Sequence, residues 1–270
     1  MDAPAAVTAS AAAPIAKGAA AGRKARLAAH LFTLGVLGAW AAWGASVESY
    51  QMPGPFAVAE RLGLFFTDAH EIGHMFWSFG HIIAAVVISF VLGFALALLP
   101  WYLGSTRRMM HGRLTPFLNS YPGIGWTMLA IIWFGVNDFT VVFVISMVLI
   151  PFAIINMREG LEALDPELLE MVRSFSRRRL RALLLLILPA LFPFMFATLR
   201  ISFGVSWKVA LTAELFGGNS GLGYMLNLAR NDFDTPLIFG IILIIIAFVY
   251  SVERFVFDPV QKRLARHHAG

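Results

Sequence analysis

Six apolar runs, each about as long as a bilayer crossing needs, constrain this chain more than any other feature. They are Leu27–Ser46, Ser78–Gly104, Pro116–Gly135, Thr140–Asn156, Leu183–Ala213 and Pro236–Val252. The second carries no charge. The third is interrupted by Pro122, Gly123 and Gly125, the fourth holds Pro151, and the fifth holds Arg200 and Lys208. Hydrocarbon offers the backbone no water to bond, so such runs read as helices. Proline and glycine are tolerated in them where neighbouring helices re-satisfy the freed groups. Composition agrees. With 59% hydrophobic and 14% charged residues, the 270-residue chain has too little polar surface to coat a soluble globule. The same numbers exclude disorder, collagen and a basic nucleic-acid module. The absence of cysteine excludes disulfides, thiolate zinc sites, iron–sulfur sites and a cysteine nucleophile. The expected fold class is an all-α integral membrane protein with six transmembrane helices in one domain, 27–256.

The basic residues orient it. With the N-terminus in the cytoplasm, 17 of the 21 Lys and Arg residues fall in cytoplasmic segments, and only Arg61 and Arg230 fall in outer loops. Both termini are therefore expected inside. Residues 1–26 lack the basic start and apolar core of a signal peptide and read as a disordered cytoplasmic tail. Residues 257–270 read as a basic cytoplasmic tail. The basic clusters at Arg107-Arg108 and 177–181 then face lipid headgroups or a protein partner, not nucleic acid.

The longest cytoplasmic connection, about 157–188, reads as helix, with Leu161, Leu164, Leu168, Leu169 and Val172 near helical spacing. Asp165-Pro166-Glu167 looks like an N-cap followed by proline and an acid in the first turn. An amphipathic element on the basic side is either a docking element or a helix lying on anionic lipid.

This loop also resembles the cytoplasmic signature of the permeases of binding-protein-dependent ABC importers: E-A-A, three residues, G, nine residues, I-x-L-P. Here Glu170-Met171-Val172 is followed by three residues, Ser176, nine residues and Leu186-Ile187-Leu188-Pro189. The spacing is kept. Met171 and Val172 stand for the alanines, Ser176 for the glycine and Leu186 for the isoleucine. Further marks are Pro53-Gly54-Pro55, Trp133-Phe134-Gly135, Asp165 to Glu170, Leu199-Arg200, Ala213-Glu214-Leu215-Phe216-Gly217 and Ser220-Gly221-Leu222-Gly223-Tyr224. Together they resemble the subgroup importing sulfonates, taurine, nitrate, bicarbonate and related small molecules.

The resemblance implies a type I importer permease in the bacterial inner membrane, acting as a homodimer. It implies a cytoplasmic ATPase dimer beneath and a periplasmic substrate-binding protein outside. Glu170, Met171, Val172, Ser176, Arg177, Arg178, Leu186, Leu188 and Pro189 would form the ATPase-coupling element. The chain has no phosphate-binding loop of the form G-x-x-x-x-G-K-[ST], so ATP and Mg²⁺ would belong to the ATPase, with no cofactor and no covalent chemistry in this chain.

Arg200 and Lys208 lie eight residues apart, about 80° around a helix, so both can face one side. Burying charge in a bilayer is costly, so they should face a partner helix or a wet path. One reading is an electropositive path for a small anion. The other is pairing with carboxylates such as Glu214 or Asp138, or Arg200 reaching the cytoplasmic interface. Asn119, Tyr121, Trp126, Ser202, Ser206, Trp207, Thr212 and Glu214 are further path candidates, and helix-to-helix hydrogen bonding explains each polar one equally well.

A competing motif is His70-Glu71-Ile72-Gly73-His74. On a helix, H-E-x-x-H places two imidazoles for zinc and a glutamate as general base, the pattern of a membrane zinc metalloprotease. The extended pattern wants glycine at 77 and histidine at 80, where the chain has Trp77 and Gly80. At the mouth of the second span, these residues can instead be interfacial polar groups.

Overall fold

The computed structural model describes residues 14–164, 167 and 183–267, and every regular element in them is helical. In chain order these are α1 (Pro14–Ser46), α2 (Pro55–Phe65), α3 (Ala69–Tyr102), α4 (Thr115–Ser120), α5 (Gly123–Phe134), α6 (Asp138–Glu162), α7 (Leu188–Gly217), α8 (Leu222–Asn231), α9 (Thr235–Val252) and α10 (Asp258–His267). Short 3₁₀, α and π turns run between α3 and α4, and π turns precede α7 and follow α9. Five segments are long and apolar enough to cross a membrane: Leu27–Ser46, Ala69–Pro100, Asp138–Glu162, Leu188–Gly217 and Thr235–Lys262.

The remaining expected span, Pro116–Gly135, is not one helix. Tyr121 is extended (φ −83°, ψ 123°) and Pro122 follows at ψ 143°. A residue before proline is driven out of the helical region by the proline ring, and Pro122 then starts a new helix. The 12-residue α5 is shorter than a bilayer crossing needs by itself. Gly125 makes the break compact, because the Tyr121 ring lies where a side chain at 125 would stand.

Three other boundaries differ from expectation. The second span begins at Ala69, not Ser78, because Asp68 Oδ1 accepts from the His70 N–H at 2.8 Å and Glu71 favours that helix start. The His70–His74 motif is therefore on a helix. Residues from Pro14 onward are helical, although 1–26 was expected as a tail. Most of the expected C-terminal tail is α10, which begins with Asp258-Pro259, an acid and a proline suited to a helix start.

The core is built on α6. Val141, Ile145, Leu149, Ile154, Met157 and Leu161 recur at helical spacing and are buried against α3 and α7. Lipid supplies little hydrophobic drive between helices, so close approach of small residues matters. Gly93 of α3 meets Ala153 of α6 so closely that a Cβ at 93 would overlap the alanine methyl. Gly93→Leu is therefore expected to prise α3 from α6, at more than the ~1–3 kcal/mol typical of overpacking. Size-exclusion profile and thermal unfolding of the purified protein check this, with Gly93→Ala giving a smaller loss of the same kind. By contrast, α1 lies at the edge. Its apolar span has no fully buried residue, and half-buried Trp40 holds it through a hydrogen bond to the Pro53 carbonyl (2.9 Å) and a stack on Phe239 of α9.

Candidate functional site

Two regions of α7 concentrate the polar chemistry of the membrane domain: its C-terminal end, which is bonded to α3 and α8, and its middle, which is open. At the end, the Glu214 side chain is completely buried. Its Oε2 accepts from Ser78 Oγ (2.7 Å) and from the Gly223 N–H (2.8 Å), and its Oε1 faces His81 Nδ1 (2.9 Å). Ser78 Oγ in turn accepts from the Leu222 N–H at 2.7 Å. His74 Nδ1 accepts from the Gly221 N–H at 3.1 Å. Ser220 Oγ donates to Asp138 Oδ1 at 2.6 Å, and that oxygen lies 3.3 Å from His81 Nε2. The first N–H groups of a helix lack intrahelical partners. Here the α8 start is capped by side chains of α3 and α7, joining α3, α7 and α8 in one buried network, with half-exposed Asp138 of α6 bonded to Ser220 at its edge.

The backbone is shaped to allow this. Gly221 has φ +100° and ψ 171°, a conformation nearly exclusive to glycine, and a Cβ there would overlap the Glu214 carboxylate. The sequence stretches 213–217 and 220–224 are thus two halves of one clasp.

The H-E-x-x-H residues are held by other partners. Arg61 of α2 binds both Glu71 oxygens (2.6 and 3.0 Å) and, through Nε, Asp234 Oδ2 at the start of α9 (2.8 Å). The Glu71 hydrogen bonds, working against burial, and then Asp234 raise the Arg61 pKa above its ordinary value. Glu71 is an ion-pair partner joining α2 and α3, not a free base. His74 belongs to the clasp and His70 is exposed. Among the described residues, no three His, Cys, Asp or Glu side chains converge on a metal-sized site.

The other sequence candidates separate by position. Arg200 does not meet Glu214 or Asp138. Its Nε donates to Glu253 (2.6 Å) and its terminal nitrogens reach Glu253, Asp258 (3.1 Å) and Gln261, tying α7 to the α9–α10 junction. Trp207 is buried against Phe203 and Phe248. Ser202 and Ser206 are buried, and Ser206 Oγ donates to the Phe203 carbonyl at 2.7 Å. Thr212 Oγ1 donates to the Lys208 carbonyl at 3.2 Å. Trp126 is buried with Tyr121 packed edge-on at 4.9 Å, while Asn119 is exposed. Lys208 is exposed on the middle of α7, in line with exposed Ala197, Ile201 and Gly204, and its ammonium has no partner among the described residues. Leu188 is half-buried and Pro189 exposed at the start of α7. Glu170, Met171, Val172, Ser176, Arg177, Arg178 and the Leu186 side chain lie outside the described residues.

Ser78, His81 and Asp138 were missed as members of the clasp. A signal existed: His74, Ser78 and His81 fall at i, i+4 and i+7 on α3, a polar stripe along one face of an apolar helix.

An all-helical, multi-pass chain with a capped clasp at one end of its helices and an open helix face has the form of a membrane permease. The chain belongs to the family described as the binding-protein-dependent transport system inner membrane component, whose model matches residues 89–268. It is similar to a probable ABC transporter permease protein of Brucella melitensis, 29% identical over 191 residues, 70% of this chain and 76% of that one. A putative aliphatic sulfonates transport permease protein of Bacillus subtilis is 30% identical over 172 residues, 62% of each chain. The taurine transport system permease protein of Escherichia coli is 26% identical over 229 residues, 80% of each chain. The family is one of non-enzymatic inner-membrane subunits, and membership implies an ATPase and a substrate-binding protein as partners.

Proposed function

We propose that two copies of this chain form the translocation path of an ATP-driven importer for a small organic or inorganic anion, delivered by a periplasmic binding protein. Both termini face the cytoplasm, and the ATPase dimer engages the segment from Glu170 to Pro189. The observation that carries this is the open face of α7. Ala197, Ile201, Gly204 and Lys208 recur at intervals of four, three and four residues and leave a cation on an otherwise apolar face. Exposed to lipid, that charge is costly. Facing a second α7 across a wet path, it is hydrated and presents positive charge to cargo. The small residues at 197 and 204 let the two helices approach. The named cargoes of the similar permeases, aliphatic sulfonates and taurine, support an acidic small molecule. The basic residues gathered on one side support the orientation.

In this arrangement the chain does no covalent work. Closure of the ATPase would move the coupling segments, and α7 would carry that motion to the outer clasp through its rigid length. Arg200 would anchor the inner end of α7 to α9–α10, and Glu214 its outer end to α3 and α8.

Lys208→Met is expected to lower uptake of the cognate anion at least tenfold in proteoliposomes containing the permease, its ATPase and its binding protein, with assembly unchanged and Lys208→Arg restoring part of the rate. Wild-type uptake by the methionine variant would remove Lys208 from the path. Mild-detergent purification with mass spectrometry tests the assembly. Two ATPases per two permeases are expected, and a chain that purifies alone counts against it.

A further inference from the structure

A second polar site lies at the opposite end of the molecule from the clasp, between the end of α3 and the end of α6. It is a cavity of about 190 Å³ with an apolar floor of Ala97, Pro100 and Leu161 and a polar wall of Arg107, His111, Arg158 and Glu162. A liquid water occupies roughly 30 Å³, so a tetrahedral anion fits. Arg158 Nε donates to Glu162 Oε1 at 2.9 Å, and these two charges balance. Arg107 has no hydrogen-bond or ion-pair partner among the described residues, so the wall carries one uncompensated positive charge.

His111 adds an independent observation. Its Nδ1 is buried with no hydrogen-bond partner among the described residues. Burial, followed by the neighbouring Arg158 and Arg107 and opposed by Glu162, holds the ring's pKa below the ordinary imidazole value. A neutral ring still has one N–H to give. Buried polar atoms in folded proteins almost always have partners, and the chemistry that completes this one while neutralising Arg107 is an anion with several acceptor oxygens.

We propose that this cavity binds a negatively charged phosphate group, either an anionic phospholipid headgroup or a free phosphate, with Arg107 as its main contact and Arg158 and His111 completing the cradle. Guanidinium groups match phosphate oxygens in geometry as well as charge. The floor of the cavity is the last apolar turns of two membrane helices, and its wall is cationic, which is how basic pockets at a membrane edge hold lipid headgroups. Placing such a lipid in the cytoplasmic leaflet rests on the orientation proposed above, whereas the binding itself does not. A bound phosphate would brace the end of α3 against the end of α6, just ahead of the segment proposed to couple to the ATPase.

The test uses the purified full chain, stripped of lipid in detergent. Phosphatidylglycerol and phosphatidylcholine are titrated and followed by native mass spectrometry, and inorganic phosphate is titrated by calorimetry. Arg107→Gln is compared with wild type and with Arg108→Gln. Both arginines are exposed, so neither variant should disturb folding, which matching unfolding midpoints would verify. The expected result is at least fivefold tighter binding of phosphatidylglycerol than phosphatidylcholine, lost in Arg107→Gln and kept in Arg108→Gln. Saturable binding of inorganic phosphate with the same dependence on Arg107 would support the site and assign it to the free anion. Absence of saturable binding to wild type by either anionic probe would overturn the proposal. So would equal binding by Arg107→Gln, or equal weakening by the two variants, which would mark a diffuse surface charge.

Discussion

Truncating Glu214 to alanine is expected to cause the largest loss of stability of any single polar truncation at the clasp end of the helices. The carboxylate is buried and serves Ser78, His81 and the Gly223 N–H together. Removing it strands three polar groups away from water. Each stranded group costs about 1–3 kcal/mol, and breaking a buried charged network costs about 3–5 kcal/mol. Thermal unfolding of the purified permease reads this directly. At this chain length 1 kcal/mol corresponds to roughly 2 °C, so the midpoint should fall by about 6–10 °C. Glu214→Gln should lose less, because its carbonyl at the Oε2 position still accepts from Ser78 and the Gly223 N–H, and only the Oε1 contact with His81 loses its acceptor. A midpoint within about 2 °C of wild type for the alanine variant would show that the clasp does not hold α8.

Gly221→Ala attacks the same clasp from the backbone side and should be comparably damaging. At φ +100° an alanine is strained by roughly 1–3 kcal/mol, and its methyl group would overlap the Glu214 carboxylate. The start of α8 would have to move, taking the Gly221 N–H off His74 and the Leu222 N–H off Ser78. Loss of transport should accompany the fall in unfolding midpoint. The double variant Gly221→Ala/Glu214→Ala separates the two causes. Residues sharing one network are not additive. Removing the carboxylate relieves the overlap but not the backbone strain, so the double variant should be less destabilised than the sum of the singles. Strict additivity would mean that the methyl and the carboxylate do not meet.

Much of the molecule was legible in the residue order, and the failures have specific causes. The apolar runs located five membrane helices because length and hydropathy are local properties. The run from Pro116 to Gly135 shows its interruption at Pro122, Gly123 and Gly125 but still counts as a span by length and hydropathy; the extended conformation imposed before proline divides it into two short helices. Asp68 was an available cap that would have moved the start of the second span back to Ala69. The H-E-x-x-H pattern has zinc spacing along the chain. Yet Glu71 and His74 meet Arg61 and Gly221, which lie on other elements, and spacing within one helix says nothing about what faces it.

The two intramembrane cations show the same division. Sequence alone established that Arg200 and Lys208 lie in an apolar helix and that a bilayer demands a reason for each. It left pairing with Glu214 or Asp138, lining of a path, and for Arg200 the cytoplasmic interface, as alternatives. The tertiary structure shows the partners: Arg200 reaches Glu253 and Asp258, Glu214 turns to Ser78, His81 and Gly223, and Lys208 is left exposed on α7. The sequence by itself determined an all-helical membrane chain, its family and its charge asymmetry. These follow from hydropathy, local spacing and composition, which each segment carries within itself. Which polar groups satisfy one another was decided only by the packing of α3, α6, α7 and α8. A buried hydrogen bond depends on atoms brought within about 3 Å, and residues more than a hundred positions apart, such as Ser78 and Glu214, meet only when the whole bundle closes.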